Sequence, residues 1–384
     1  MTAVRDAQRG DPGLAPPEWR VARDPAAWEA LASDWNALSS TSSPLADATW
    51  ASCLTDAFYR RKRKPVEVHS LYADGRLSAV IPLERKSGIR AWVSIDNMHT
   101  PYVLFPSRDP GPEQARTIID HLLSDADYLL FRRLHPDGPI CTALLEASRA
   151  AGLRTHVAQD DKGDTIMPLQ RPWEVFQASV PKRLIQDTLR NLRNLSKQGE
   201  VRVEMVTDPC NLDGPLSDCF ALEEKGWKGQ SGTPMRADPA THRFYTQVAR
   251  RMSARGRFTL ALLRLGQRII AYEFWLRGSG HIELLKISFD PDFNKSSPGN
   301  VLRYLALKHE IESGDATTYH FGRPSPWKLR WTQTVRPLCN LRLYAPTVRG
   351  RLAYLAGPVL RTKLRRYQSL KRAWQVFERR FLDD

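Results

Sequence analysis

Two β-hairpin patterns, placed far apart, constrain this chain more than any single motif. Val66–Tyr72 leads through Ala73-Asp74-Gly75-Arg76 into Leu77–Leu83, and Phe258–Arg264 leads through Leu265-Gly266-Gln267-Arg268 into Ile269–Leu276. Each pattern has two apolar arms and a turn containing glycine, the pattern of a hairpin. Helical periodicity precedes the first at Trp28–Leu38 and Thr49–Arg61, and the second at Leu216–Lys225 and Thr241–Arg255. After each come another strand, a helix (Gly111–Leu123, Pro298–Ser313) and a further strand (Tyr128–Leu134, Thr317–Gly322). The matching order predicts an internally duplicated α/β chain.

Composition is that of a folded protein, with 42% hydrophobic residues and 11 Trp in 384 residues. A net charge of +15 predicts acidic partners such as nucleotides, phosphate-bearing co-substrates, anionic lipid or nucleic acid. No reader motif of a nucleic-acid module is present, which makes a plain nucleic-acid-binding role the weaker expectation. The five cysteines (Cys53, Cys141, Cys210, Cys219, Cys339) are scattered and show no Cys-x-x-Cys spacing. That argues against a disulfide framework and a zinc site, and predicts a reducing compartment. Met1–Pro17 lacks the apolar core of a signal peptide, and no apolar run is long enough to cross a bilayer. The reading is a cytoplasmic protein with no metal and a disordered leader over residues 1–18.

The segment Ile282–Asp290, followed by Pro291-Asp292-Phe293-Asn294-Lys295-Ser296-Ser297-Pro298-Gly299-Asn300, carries the clearest chemistry. An apolar strand ends in an Asp-Pro turn, small residues follow, and a helix starts at Ser297-Pro298. Open amides and the positive dipole end of a helix favour an anion, and Gly299 lets it approach the backbone. Pro after Ser is equally an ordinary helix start. Val180–Gly199, bounded by Pro181 and Gly199, reads as a helix with Ile185, Leu189 and Leu192 on one face. Its Arg183, Arg190, Arg193 and Lys197 form either a solvated basic face or a wall beside an anionic ligand. From Arg351 onward nine Lys or Arg face three acids, while Leu360, Leu364, Tyr367, Leu370, Trp374, Phe377 and Phe381 make one apolar stripe. Such a basic amphipathic helix packs on its own domain, on a partner, or on an anionic membrane surface.

With Glu223-Glu224-Lys225-Gly226-Trp227-Lys228-Gly229 upstream, Ser297-Pro298-Gly299 in the loop and Trp327-Lys328-Leu329-Arg330-Trp331 downstream, the second half acquires a family likeness. It resembles the BioF2-like, CelD-type (cellulose-biosynthesis) branch of the GNAT acyltransferases, distant relatives of the Fem aminoacyl transferases. The resemblance spans about Trp19 to Ala345. It implies an α/β (α+β) fold of two tandem GNAT-like lobes, each a twisted mixed sheet flanked by helices. The expected division is a lobe at 19–170, a basic connecting helix at 171–200, the acyltransferase lobe at 201–347 and a basic C-terminal helix at 348–384. Asp96–Tyr102, the first lobe's counterpart of the loop, lacks the Ser-Pro-Gly helix start and is expected to be structural or to frame the acceptor.

Carried over, the resemblance has Ile287, Ser288 and Phe289 line a pantetheine arm, and Lys295, Ser296, Ser297, Gly299 and Asn300 cradle a diphosphate. The family's second loop glycine is missing here, so the donor stays open among acyl-CoA (acetyl-CoA foremost), acyl carrier protein and aminoacyl-tRNA. Lys328, in the aromatic-Lys pair with Trp327, is implied to stabilise the carbonyl oxyanion; a core Trp with a surface Lys is the alternative. Glu273, mid-strand among apolar residues, is either a buried general base or a solvent-side residue. His320, where relatives carry Asp, is a candidate proton acceptor. Trp227 and Lys228 either shape an acceptor pocket or pack as Trp with a snorkelling Lys. Glu283 and Lys286, three apart, fall on opposite faces of a regular strand, so one of them reaches substrate. The resulting expectation is acyl transfer to an amine or hydroxyl of a sugar, polysaccharide or envelope precursor. A Fem-like transferase using aminoacyl-tRNA and a non-catalytic scaffold of a polysaccharide-synthesis assembly, docked through the C-terminal helix, are the alternatives.

Overall fold

The structure, a computed structural model, describes residues 16–40, 42–60, 65–86, 90–225, 238–314 and 316–359. The first half runs β1 (Glu18–Ala22), α1 (Pro25–Leu38), α2 (Ala48–Leu54), β2 (Val66–Ala73), β3 (Arg76–Lys86), β4 (Ala91–Ser94), α3 (Pro112–Leu123), β5 (Tyr128–Leu134), α4 (Pro139–Ala150) and β6 (Arg154–Pro168). Two helices, α5 (Trp173–Ser179) and α6 (Lys182–Ser196), lead into the second half. That half holds β7 (Val201–Val206), α7 (Asp213–Lys225), α8 (Pro239–Ser253), β8 (Phe258–Leu265), β9 (Arg268–Gly278), β10 (His281–Phe289), α9 (Pro298–Ser313), β11 (Thr318–Gly322), β12 (Val335–Tyr344) and α10 (Val348–Tyr354). The expected hairpins are β2–β3 and β8–β9, paired antiparallel. Asp74 and Gly75 turn the first with φ of 50° and 72°, the left-handed pair that matches strand twist in a tight hairpin.

The strands form one sheet in the order β1-β2-β3-β4-β5-β12-β6-β11-β10-β9-β8-β7. Written by position within each half, that order is a palindrome. The parallel pairs, β4–β5 and β10–β11, also occupy equivalent places. The sixth strands are exchanged: β6 pairs with β11 of the second half, β12 with β5 of the first, and the two pair with each other. The two lobes are therefore interlocked within one sheet.

Strands β8 to β10 are apolar on both faces because helices cover both. One face packs with α1, α2, α7 and α8, where Trp50 meets Phe244 across the lobes at 5.2 Å. The other packs with α5, α6 and α9 through Trp173, Phe176, Ile185, Val301 and Leu307. The connecting segment is thus two helices separated at Val180-Pro181, consistent with the bar to helix before proline. On α6, Ile185 is buried while Arg183, Arg190, Arg193 and Lys197 are exposed. On α10, Gly350 is buried while Val348 and Leu352 are 74% and 59% exposed. The stripe Leu360–Phe381 lies outside the described residues, among which no helix is long and apolar enough to cross a membrane.

Candidate active site

Strands β10 and β11 pair only through His281–Glu283 and Thr318–His320, whereas the ladder from β10 to β9 continues to Phe289. Beyond that short parallel pairing lies a cleft of about 590 Å3. One wall is Lys286, Ile287, Ser288 and Phe289 with Glu273 behind them; the loop and helix start contribute Ser297, Gly299 and Asn300, and Trp327 and Lys328 close the far side. The fold thus gathers most of the residues expected from sequence around one cavity. Lys295 and Ser296 stand apart in the 3-10 turn Pro291–Ser296, with Lys295 exposed, and Asn294 lines the cleft instead. Trp227 and Lys228 lie outside the described residues.

The helix start is more selective than a generic cradle. Ser297 takes a left-handed conformation (φ 42°), which aims α9 at the cleft. Pro298 has no N–H, and the amides of Asn300 and Val301 both return to the Ser297 carbonyl at 3.0 and 3.3 Å. Among the described residues this leaves the Gly299 amide as the open donor of the first turn. A Cβ at Gly299 would meet nothing within 4 Å, so the glycine faces open space. The Asn300 side chain is occupied, accepting from Trp331 Nε1 at 3.3 Å.

Lys328 is half-buried, and burial first, then the charge of Arg303, pushes its pKa down to about 8. Its Nζ donates to the carbonyl oxygens of Phe321 and Arg323 at 2.5 and 2.8 Å. An ammonium has three N–H groups, so one remains for another acceptor.

Glu273 is 1% exposed, which excludes the solvent-side alternative. It does not suit the general-base role either. One carboxylate oxygen pairs with Arg303, and the other accepts from Trp275 Nε1 at 2.8 Å and Tyr319 OH at 2.7 Å. Arg303, on α9, is 2% exposed and stacks among Trp327, Phe321 and Trp331, with Trp327 nearest at 4.5 Å. Sequence reasoning missed Arg303. Its one available signal was position, four residues after Gly299 and hence on the same helix face.

Glu283 and Lys286 do not lie on opposite faces, because a bulge between Leu284 and Lys286 adds a residue to β10. Lys286 therefore sits over the Tyr245 ring at 5.0 Å, on the face from which Glu283 reaches Ser43 and Tyr102. Glu283 is 1% exposed and lies at the foot of the cleft rather than in its lining; burial pushes its pKa up. His320 donates through Nδ1 to Asp164 Oδ2 at 2.9 Å, with Glu283 Oε2 4.0 Å from the same nitrogen. Burial works against its charge, but the two carboxylates outweigh burial and raise its pKa. The two carboxylates thus favour the protonated ring, so His320 is placed to hold a proton between them. Among the described residues no group of three or more His, Cys, Asp or Glu is placed to hold a metal ion.

Residues 182–329 match the acetyltransferase (GNAT) domain family. The fold is similar to that of FemX, at 12% identity and TM-score 0.58, over 85% of this chain and 98% of FemX. It is also similar to the C-terminal domain of a protein from Agrobacterium fabrum assigned as a lysylphosphatidylglycerol synthetase, at 13% identity and TM-score 0.53, over 87% of this chain and 97% of that domain. No curated protein matches the sequence. Strand order and the parallel β10–β11 pairing thus describe a two-lobed α/β fold in which residues 182–329, with the loop at the start of α9, are the part that matches the acetyltransferase (GNAT) domain family.

Proposed function

We propose that the chain transfers an acyl group from acyl-CoA, or a similar pantetheine thioester, to an amine or hydroxyl of a sugar, polysaccharide or envelope precursor. The observation that carries this reading is the cleft itself: about 590 Å3, running from the Gly299 amide past Ser288 and Phe289 to Lys328. Its open end suits a phosphate, its strand wall suits the amides of a pantetheine arm, and its inner end presents a cation. The residues present therefore fit such a donor. In the transfer, the acceptor's nitrogen or oxygen bonds to the thioester carbonyl carbon, the C–S bond breaks, and the acceptor's proton leaves to solvent or to the departing thiolate. Lys328 faces the charge that develops on the carbonyl oxygen. Arg303, held by Glu273 and three aromatic rings, is a positioning residue that fixes the Trp327 wall and holds down the Lys328 pKa.

Calorimetry with CoA and acetyl-CoA tests the donor. Binding lost in Gly299→Asp supports it; no binding to the wild-type chain at millimolar ligand overturns it.

The Fem-like alternative, with aminoacyl-tRNA as donor, is favoured by the exposed arginines of α6, a helix that packs beside α9. It predicts salt-sensitive binding of aminoacyl-tRNA that weakens when Arg190 and Arg193 are both replaced by Ala. No gel shift at low salt would remove it.

A further inference from the structure

The first lobe has a cavity of its own, about 240 Å3, which shares no lining residue with the cleft beside α9. Its walls are apolar, from Val103, Phe105, Leu134 and Ile140, and its polar end is marked by His135 and Arg336. Strand β5 ends at Leu134 and the chain turns at once into α4, the Gly138 amide returning to the His135 carbonyl at 3.0 Å. A Cβ at Gly138 would sit 3.0 Å from that carbonyl oxygen and 3.5 Å from the His135 Cβ, so glycine lets the turn close this tightly. The turn thereby sets His135 beside the first turn of α4.

Pro139 has no N–H, and the first backbone bond of α4 runs from the Thr142 amide to the Gly138 carbonyl at 3.0 Å. Among the described residues the amides of Ile140 and Cys141 therefore have no backbone partner, at the positive end of the helix dipole. Any helix start shares that feature; His135 is what sets this one apart. It is 7% exposed, and neither ring nitrogen has a hydrogen-bond partner among the described residues. Burial first, then the charge of Arg336, pushes its pKa down to about 4, so near neutral pH the ring offers an N–H without carrying charge. A buried donor left unmet lowers stability, which points to a ligand that meets it.

Arg336 arrives from β12, the strand exchanged into this lobe from the second half. Its Nη2 donates to Asp137 Oδ1 at 3.0 Å, which leaves most of its five N–H groups for another acceptor. Asp137 and Asp164, the carboxylates whose charges reach His135, do not belong to the lining. The polar end thus presents donors and one positive charge, and the rest of the cavity is apolar. At about 30 Å3 per water-sized group, the space holds roughly eight non-hydrogen atoms, the size of a six-carbon acid.

We propose that this cavity binds a small monocarboxylic acid with an apolar body, its carboxylate facing Arg336, His135 and the first-turn amides of α4. A carboxylate accepts from all three and answers the guanidinium charge. An amine of the same size would set a second cation against Arg336, and an alcohol would leave that charge unanswered. Inorganic phosphate would suit the polar end but leave the apolar walls unfilled, whereas small-molecule sites use such walls to hold the body while a few polar groups orient it. This inference goes beyond the acyl-transfer reading and does not rest on it.

The test is calorimetry of the full chain at neutral pH with hexanoate, hexanol, hexylamine and inorganic phosphate. Hexanoate is expected to bind about tenfold more tightly than hexanol or phosphate, with hexylamine undetected. Arg336→Gln is expected to weaken hexanoate about tenfold and hexanol hardly at all. Ile140→Trp, which fills the cavity from its half-buried rim, is expected to abolish both, with thermal midpoints showing that the variants fold. Hexanoate undetected at millimolar concentration, or no tighter than hexanol, hexylamine or phosphate, overturns the proposal even if neither variant folds. Hexanoate binding unchanged in a folded Arg336→Gln or Ile140→Trp chain overturns it as well.

Discussion

Replacing and titrating Lys328 separates two chemistries that a static cleft leaves equivalent. Burial and the neighbouring Arg303 place its pKa at about 8, while the Phe321 and Arg323 carbonyls hold its Nζ at 2.5 and 2.8 Å. If the ammonium faces the developing oxyanion, only the protonated form contributes. With that midpoint, roughly nine-tenths is protonated near pH 7 and about one-tenth near pH 9, so its contribution falls about tenfold across the interval. Lys328→Ala removes an oxyanion donor outright, a loss of about 10²–10³-fold in kcat. The assay is kcat/KM for acetyl-CoA with a fixed amine, for wild type and Lys328→Ala, from about pH 6.5 to 9.5. Ionisation of the acceptor is common to both proteins and cancels in their ratio. The ratio is expected to be largest near neutrality and to fall about tenfold by about pH 9. A ratio that climbs with pH would make Lys328 a proton acceptor, and a flat one would place its charge outside the reaction; either refutes the assignment.

Three further outcomes follow from particular contacts. Gly299→Asp meets open space in the fold, so its thermal midpoint should stay near wild type while CoA affinity drops at least tenfold; a large loss of stability would mean that the glycine serves the fold. Arg303→Met strands the buried Glu273 carboxylate and should cost about 3–5 kcal/mol in urea unfolding, part of it restored by Glu273→Leu in the same chain. Val348 and Leu352 present an exposed apolar face on α10, next to the basic C-terminal sequence. We predict sedimentation with vesicles containing phosphatidylglycerol, weakened by salt and by Leu352→Glu; vesicle binding insensitive to both would exclude that surface.

What could be read from the residues was local. The hairpins, the helix start at Pro298 and the basic face of α6 are each written in a few adjacent positions, through turn glycines, proline and periodicity. The exchange of β6 and β12 is not, because either strand offers a compatible edge and the choice is made by the whole sheet. The bulge at Leu285 adds one residue without any compositional mark, and it reverses the expected facing of Lys286 relative to Glu283. The buried network escapes for the same reason of range. Its contacts join residues 240 apart for Ser43 and Glu283, 181 for Tyr102 and Glu283, and 156 for Asp164 and His320. Glu273 shows the converse: its apolar neighbours mark burial as one alternative, but nothing near it in sequence marks Arg303 as the partner of its carboxylate.

The exchanged sixth strands also set a schedule for synthesis and a constraint on ancestry. Neither lobe can complete its share of the sheet until β12, ending at Tyr344, has left the ribosome, so the first half must wait for nearly the whole chain. Separately expressed halves would each display the unpaired edge that the partner's last strand covers. Joined without a covalent link, the same two halves would be a strand-swapped dimer related by a twofold axis. A gene fusion of such a dimer would give this strand order directly, with α3 and α9 as the equivalent crossover helices between the parallel strands.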